Sequence, residues 1–429
     1  MNLDMTMKIL ISSFGTRGDV QPYLALAVGL QRAGHQVTLS TSGIYSDWIH
    51  AYGVKTQPSR FSFQEVMQQP EAQAVRNKNL LRQIVFALNA LRQSGEMADV
   101  VWRAAQDADL IIQSPTGCGA LEAASTRGIP AIMASPLPFA PTRRFLSFFL
   151  GAPRFSLGGG YNLLTHRLMH IALWHGMCKR FTNPLRKRLG LPLLRSFADF
   201  LAESRRLGVP WLYGYSPHVL PKPSDWDTQQ HVTSYWFLAA PLDWQPPNGL
   251  LHFLESGPPP IYVGFGSMGH GDPTQHTQLV LRALALSGQR GVLLTGWGGM
   301  VSQSPPPNVF FVENIPHDWL FPRMAAVVHH GGAGTTGAGL RAGVPNLITP
   351  FAPNDQVAWA ERVERLGVGM HLPGIKSLTA EQLAEAIQHA VTDSTLRVRA
   401  AALGETIGAE DGLARAMEII DEIIEMQRK

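Results

Sequence analysis

Cysteine is almost missing from this sequence. Cys118 and Cys178 are the only two in 429 residues, too few for a disulfide framework, and free thiols predict a reducing, cytoplasmic compartment. Long apolar runs are missing as well: no window supplies the roughly 18 unbroken apolar residues of a membrane-spanning helix. The opening residues, MNLDMTMKILISS, carry neither a basic leader nor a long apolar stretch before a small-residue cleavage site. No secretory leader is therefore expected, and Met7 is an alternative start. Neither charge dominates, with Lys+Arg 36 against Asp+Glu 32, but acidic residues are scarce in one stretch. From Arg143 to Arg206 twelve basic residues face only Asp199 and Glu203, with Phe145, Phe148, Phe149, Tyr161, Leu168, Ile171, Trp174 and Phe181 interleaved. Such a stretch is either a solvated helical face or a surface for an anionic bilayer, touched without being crossed. No RNA-binding signature accompanies the charge, so nucleic acid is not expected as a partner.

What is present is enough apolar residue, 45% of the chain, for two domains of roughly 200 residues each. Lys8 to Ser13 reads as a strand, Val20 to Ala33 as a helix with Leu24, Ala27, Val28 and Leu30 at helical spacing, and Gln36 to Leu39 as a second strand. Leu110 to Gln113 and Ala131 to Ala134 repeat the signal around a helical segment, Gly119 to Thr126. This alternation predicts a parallel sheet with helices on both faces. It dissolves between Pro217 and Pro247 and restarts at Ile261, so the division expected is 1–225, a connection over 226–250, a second domain over 251–405, and a C-terminal helix over 406–429. On that helix Met417, Ile420, Ile423 and Ile424 share a face, able to pack back on the first domain or on a second copy. Thr379 and Gln382 form a capping box for the helix ending near Val391.

The run IYVGFGSMG places Gly264, Gly266, Ser267 and Gly269 in a G-x-G-x-x-G pattern. A dinucleotide fingerprint also needs a helix opening inside the glycines and an acid at the end of the next strand. Here His270-Gly271-Asp272-Pro273 prolongs the loop and the next strand ends Leu294-Thr295-Gly296-Trp297. What remains is a glycine loop whose N–H groups, with the Ser267 hydroxyl, suit an anion. The segment VVHHGGAGTTGAGLRAGVPNLITPF, from Val327 to Phe351, is more specific. A strand ends in His329-His330, and Gly331-Gly332-Ala333-Gly334 opens a helix at Thr335, whose N-terminus is an anion site within reach of His330. Two such loops on one sheet suit a diphosphate. Asp355-Gln356, after Pro350 and Pro353, suits vicinal hydroxyls or a helix cap. Diphosphate plus polyol describes a nucleotide sugar.

With FGTRGDVQPYLALA (Phe14 to Ala27), GGGYNLLTHRLMHIALW (Gly158 to Trp174), NPLRKRLGLP (Asn183 to Pro192), YSPHVLPKPSDWD (Tyr215 to Asp227), VTSYWFL (Val232 to Leu238), IPHDWLFP (Ile315 to Pro322), HHGGAGTTGAGLRAGVP (His329 to Pro345) and DQVAWAERV (Asp355 to Val363), the chain resembles family 1 glycosyltransferases, most nearly the sterol 3β-glucosyltransferases. The resemblance implies an α/β GT-B fold, two Rossmann-like doubly wound domains facing a cleft, acceptor first and donor second. It implies inverting transfer of glucose from UDP-glucose to a sterol or similar apolar alcohol, with no cofactor beyond the co-substrate and no metal. Asp19, in the glycine-rich loop of Gly15, Thr16, Arg17 and Gly18, falls on the general base of related members. Its other reading is an N-cap for a helix starting at Val20. Gly266, Ser267, His330, Gly332, Gly334 and Thr335 would hold the diphosphate, and Asp355 and Gln356 the sugar.

Departures leave choices open. The family's ribose glutamate falls on Ala338 and its uracil-stacking tryptophan on Asn314, so uracil is expected at Trp297 or at Trp319-Leu320. The spacer between Pro350 and Asp355 is one residue longer than the family's. Asp225-Trp226-Asp227 mimics a D-x-D metal motif but reads as a solvated loop. A protein that glycosylates a bilayer lipid would sit peripherally on the inner face of a membrane, through residues 143–206. Other acceptors (a carotenoid, polyketide, hydroxy fatty acid or phenol), other UDP- or dTDP-hexoses, a nucleotide-sugar epimerase and a non-catalytic binding module stay open alongside.

Overall fold

The computed structural model describes residues 6–62, 65, 95–150, 156–241, 243–266, 272–295, 300, 306–352 and 354–427. Its first sheet has strands β1 (Lys8–Ser12), β2 (Gln36–Ser42), β3 (Lys55–Ser59), β4 (Leu110–Gln113), β5 (Ala131–Ser135), β6 (Trp211–Tyr213) and β7 (Gln230–Val232), in the order β3-β2-β1-β4-β5-β6-β7. The second has β8 (Ile261–Gly264), β9 (Gly291–Leu294), β10 (Val309–Val312), β11 (Ala326–His329), β12 (Asn346–Ile348) and β13 (Gly369–His371), in the order β10-β9-β8-β11-β12-β13. Every pairing is parallel.

Apolar residues occupy both faces of the central strands because helices cover both. In β1, Ile9 and Ile11 enter one buried cluster and Leu10 the other, the pattern of a doubly covered parallel strand. Each sheet is filled outward from its first strand, so its winding reverses between β1 and β4 and between β8 and β11. Crevices at the carboxyl ends of strands open at such switch points. The loops carrying Asp19, Gly266 and His330 leave β1, β8 and β11 there.

Strand β7 lies inside the Pro-rich 226–250, so part of that stretch completes the first sheet. The two halves also touch beyond it. Phe148 meets Trp359 edge-on at 5.0 Å between centroids, and the Arg362 guanidinium donates to the Val219 carbonyl. Helix Gly412–Gln427 closes the circuit: Ala416, Ile419, Ile420, Ile423 and Ile424 are buried with Val20, Tyr23 and Leu24 of helix Arg17–Arg32. Just before it, the Glu410 carboxylate accepts from the hydroxyls of Ser216, at 2.9 Å, and Ser234.

Two expectations are corrected here. The basic stretch is not one exposed surface: Arg186 is 1% exposed and pairs with Glu122 at 3.2 Å and Glu203 at 3.4 Å, and Arg188 pairs with Asp99 at 2.5 Å. Nor is every residue of Asp225-Trp226-Asp227 solvated: the two aspartates are exposed in a loop, as expected, and the tryptophan between them is not. Trp226 is buried and stacks on Tyr213 at 4.6 Å, while Asp225 accepts from Thr142 Oγ1 at 2.6 Å and the Arg143 amide at 2.7 Å. A carboxylate bracing a turn from a stacked aromatic is structural.

Candidate functional site

On the first-domain side, the chain leaves β1 through Gly15, whose φ of +147° is open to glycine and where a Cβ would fall 2.4 Å from Asp19 Oδ2. Helix Arg17–Arg32 starts three residues earlier than expected, with Thr16 as its N-cap. Asp19 is therefore at the third helical position and not the cap. Its Oδ2 accepts from the Thr16 amide at 2.7 Å and Thr16 Oγ1 at 2.9 Å, so Oδ1 is not taken up by these two bonds. The side chain is open to solvent, yet the surrounding protein desolvates its charge and raises its pKa against the pull of the two Thr16 bonds. Arg17 lies over the Trp48 ring at 4.6 Å. A Cβ built on Gly18 would meet only Thr16 Oγ1, at 3.8 Å, an ordinary contact.

On the second-domain side, Gly266 at φ +66° lies against His330, and a Cβ there would come within 2.7 Å of the imidazole Cε1. A Cβ on Gly332 would stand 2.7 Å from the same ring's Nε2. His330 is thus wedged between the two glycine loops. Burial pushes its pKa down to about 4, so it is neutral at physiological pH, and its Nδ1 is buried without a partner among the described residues. A buried polar atom of that kind is what an incoming phosphate oxygen would satisfy. Gly332 caps helix Ala333–Arg341, whose first N–H groups have no intrahelical acceptor. At Gly334 nothing lies within 4 Å of a built Cβ, so the backbone of that turn borders open space. Thr335 belongs to the same turn. The neighbouring His329 is structural: its Nδ1 accepts from the Gly331 amide at 3.1 Å and its Nε2 donates to Asn346 Oδ1 at 3.0 Å.

Asn354 caps helix Asp355–Leu366, so Asp355 is its first residue and its carboxylate is not consumed as the cap. Desolvation, and then the charge of Asp19, push Asp355 up to about 7. Two carboxylates far apart in sequence therefore feel each other across the cleft. Gln356 does not stand free beside it: its Oε1 accepts from the amides of Phe351 at 2.8 Å and Ala352 at 3.2 Å, leaving only the amide nitrogen for a ligand.

The structure does not bring Leu320 to the cleft; it is fully buried among Val292, Val312 and Val327. Trp319 is half-buried between Trp244, at 5.2 Å, and the Arg323 guanidinium, at 4.4 Å. Ser267 and Trp297 lie outside the described residues. One residue that the sequence reading did not single out stands at the site. His317 stacks on Phe321 at 4.2 Å, and burial followed by the charges of Arg17 and His330 holds it down to about 4. It sits in the quoted IPHDWLFP motif, but only the fold reveals that it faces Arg17. Among the described residues no group of three or more His, Cys, Asp or Glu side chains is disposed to hold a metal ion.

The arrangement offers a solvent-accessible carboxylate, a neutral imidazole with a bare nitrogen, and a helix N-terminus around one crevice. Comparison with known proteins agrees with it. Residues 9–145 match the glycosyltransferase family 28 N-terminal domain, and residues 298–426 match the erythromycin biosynthesis protein CIII-like C-terminal domain. The sterol 3-beta-glucosyltransferase of Cryptococcus neoformans var. neoformans serotype D is 36% identical over 441 residues, covering 96% of this chain and 27% of the relative. That of Emericella nidulans is 34% identical over 96% of this chain and 30% of the relative. The chain thus spans about a third or less of the curated relatives it matches. The calicheamicin glycosyltransferase CalG4 superposes with a TM-score of 0.66 at 21% identity over 98% of both chains, a likeness of fold. By sheet order, domain order and superposition, the chain has the two-domain GT-B fold of glycosyltransferases.

Proposed function

We propose that the chain is a hexosyltransferase that moves glucose from UDP-glucose to the hydroxyl of a sterol or a similar flat apolar alcohol, with inversion and without a metal. The observation that carries this reading is the opposition of Asp19 and Asp355 across a crevice whose wall holds His330 with an unpartnered Nδ1. Asp19 Oδ1 takes the acceptor proton as the acceptor oxygen attacks the anomeric carbon. The bond from that carbon to the diphosphate oxygen breaks on the opposite side, and the electron pair leaves with UDP. Neutral His330 donates to the diphosphate, and the backbone of Gly332, Gly334 and Thr335, with Gly266 and Ser267, receives the growing charge. Asp355, with the Gln356 amide nitrogen, orients the sugar hydroxyls. Trp297 or Trp319 supplies a face for the uracil.

The sterol reading draws on the relatives' described activity; a carotenoid, polyketide, hydroxy fatty acid or phenol would use the same chemistry. Since a sterol resides in a bilayer, the first domain would meet an anionic cytoplasmic leaflet through residues 143–206. No described helix is long and apolar enough to cross a membrane.

The test is UDP release from UDP-glucose by wild-type and Asp19→Asn protein, with and without cholesterol, with products weighed. Sterol-stimulated release, a product heavier by one hexose and a kcat lower by about 10²- to 10⁴-fold in Asp19→Asn are expected. Release indifferent to sterol would remove the acceptor assignment. Equal rates in the two proteins would remove Asp19 as base, and interconversion of UDP-sugars without an acceptor would favour an epimerase.

A further inference from the structure

From Gly159 to Arg188 the chain is helical throughout, passing from helix Gly159–Leu173 through a π turn at Trp174–Cys178 into helix Lys179–Arg188. The inner side is committed to the core. His166 Nε2 meets the Phe145 carbonyl at 3.2 Å, His170 Nε2 meets that of Phe139 at 3.2 Å, and Trp174 is fully buried. The outer side is unlike any other surface described. Of the nine large apolar side chains left exposed among the described residues, five lie between 157 and 193: Leu157, Leu164, Leu168, Ile171 and Leu193, each 48–69% exposed. Leu164, Leu168 and Ile171 follow helical spacing, so they form one stripe. Along the same rod the stripe changes character. From the π turn onward, His175, Lys179, Arg180 and Lys187 line an open hollow of about 600 Å³ that Leu193 also lines, and no acidic residue lines it. Lys179 and Lys187 are exposed and, unlike Arg186 and Arg188, form no ion pair among the described residues.

We infer that this rod is where the protein docks on a bilayer: Leu164, Leu168 and Ile171 enter the acyl boundary, and the hollow at Lys179 and Lys187 takes the phosphate of an acidic lipid headgroup. Apolar residues flanked by unneutralised lysines on one helix are what an anionic interface selects. A π turn shifts the helical register by one residue and often marks a functional segment. Here it lies where the apolar stripe gives way to the basic hollow. The inference rests on the lipophilic-acceptor reading but narrows the 143–206 surface to one rod, since Arg186, Arg188 and Arg206 are held by carboxylates.

The experiment is flotation of the full chain with vesicles of phosphatidylcholine alone or doped with phosphatidylserine, at low and high salt. Wild type is compared with Lys179→Glu/Lys187→Glu and with Leu164→Ser/Leu168→Ser/Ile171→Ser. All these positions are exposed, so unchanged thermal midpoints confirm folding. Charge reversal is expected to abolish the preference for phosphatidylserine, weakening binding by at least about fivefold per lysine, on the order expected for one basic residue at an anionic surface. The serine triple variant is expected to leave only weak, salt-labile binding. Both variants should glycosylate detergent-dispersed acceptor at the wild-type rate and vesicle-embedded acceptor more slowly. Wild-type flotation by both variants overturns the inference. So does sedimentation showing that the leucine stripe joins two copies of the chain while vesicle binding is unaffected. Flotation that depends on these residues in a protein that glycosylates no sterol sustains the docking surface and sinks the acceptor assignment instead.

Discussion

Asp19 and Asp355 are two carboxylates whose neighbourhoods disfavour charge, and the charge of Asp19 makes that of Asp355 more costly. For Asp19 as base the ionised form is the active one, so kcat/KM is expected to fall as pH drops through a value above the ordinary carboxylate range. A pH profile that stays flat to pH 4 would remove that role. For Asp355 the sign in the folding equilibrium is the reverse of a salt-bridged carboxylate. Its folded pKa, about 7, exceeds the unfolded value, so the fold binds the proton more tightly. The stability it lends is present at acid pH and is lost as pH rises from about 4 through 7. Asp355→Asn is therefore expected to raise the thermal midpoint of the free protein by about 2 °C or more at pH 8, with the gap closing toward pH 4, and to weaken UDP-glucose binding much more than UDP binding. A midpoint difference that does not vary with pH would contradict this account.

At the scale of elements, the glycine loops do different jobs, and substitution separates them. Gly266 needs its positive φ and has His330 against it. Gly266→Ala is expected to displace the imidazole and lower UDP affinity by about tenfold or more, given a backbone penalty of about 1–2 kcal/mol for a left-handed alanine and the clash. Gly334 lies inside helix Ala333–Arg341, with φ outside the left-handed region and open space around it. Gly334→Ala should therefore strengthen the free helix by about 0.5–1 kcal/mol. UDP affinity should still fall, because the added methyl stands where the diphosphate approaches the backbone. Calorimetric titration with UDP, paired with thermal melts, reads both. Unchanged affinity in Gly334→Ala would place the diphosphate elsewhere.

Across the whole molecule, the chain ends where it began. Ile420 is fully buried against the helix that carries Asp19, so the second domain's tail is part of the first domain's core. Ile420→Ala is expected to destabilise the protein by about 2–5 kcal/mol. The loss should appear in a first-domain probe, Trp48 fluorescence, as well as in the global melt. Loss of second-domain structure alone would show that the crossing carries no coupling.

Much of this was legible in residue order, for local reasons. Alternating apolar runs and helical spacing reveal two parallel sheets because burial on both faces leaves its mark on each strand. The Thr379–Gln382 capping box, observed with both of its hydrogen bonds, is decided within four residues. Glycines next to His330 announce an anion loop because backbone geometry is local. The start of helix Arg17–Arg32 was misplaced because Thr16 and Asp19 can each cap a helix, and Arg186, Trp226 and Leu320 were assigned to surfaces that the fold gives to the core. Composition cannot say which arginine finds a buried glutamate. The amino-acid sequence by itself determined the strands, the loops that leave them and the residue types those loops carry. Only the tertiary structure decided that Asp19 confronts Asp355, that His317 faces Arg17 and that the last helix belongs to the first domain. Those relations arise from the docking of two separately wound sheets, and no pattern within either one encodes them.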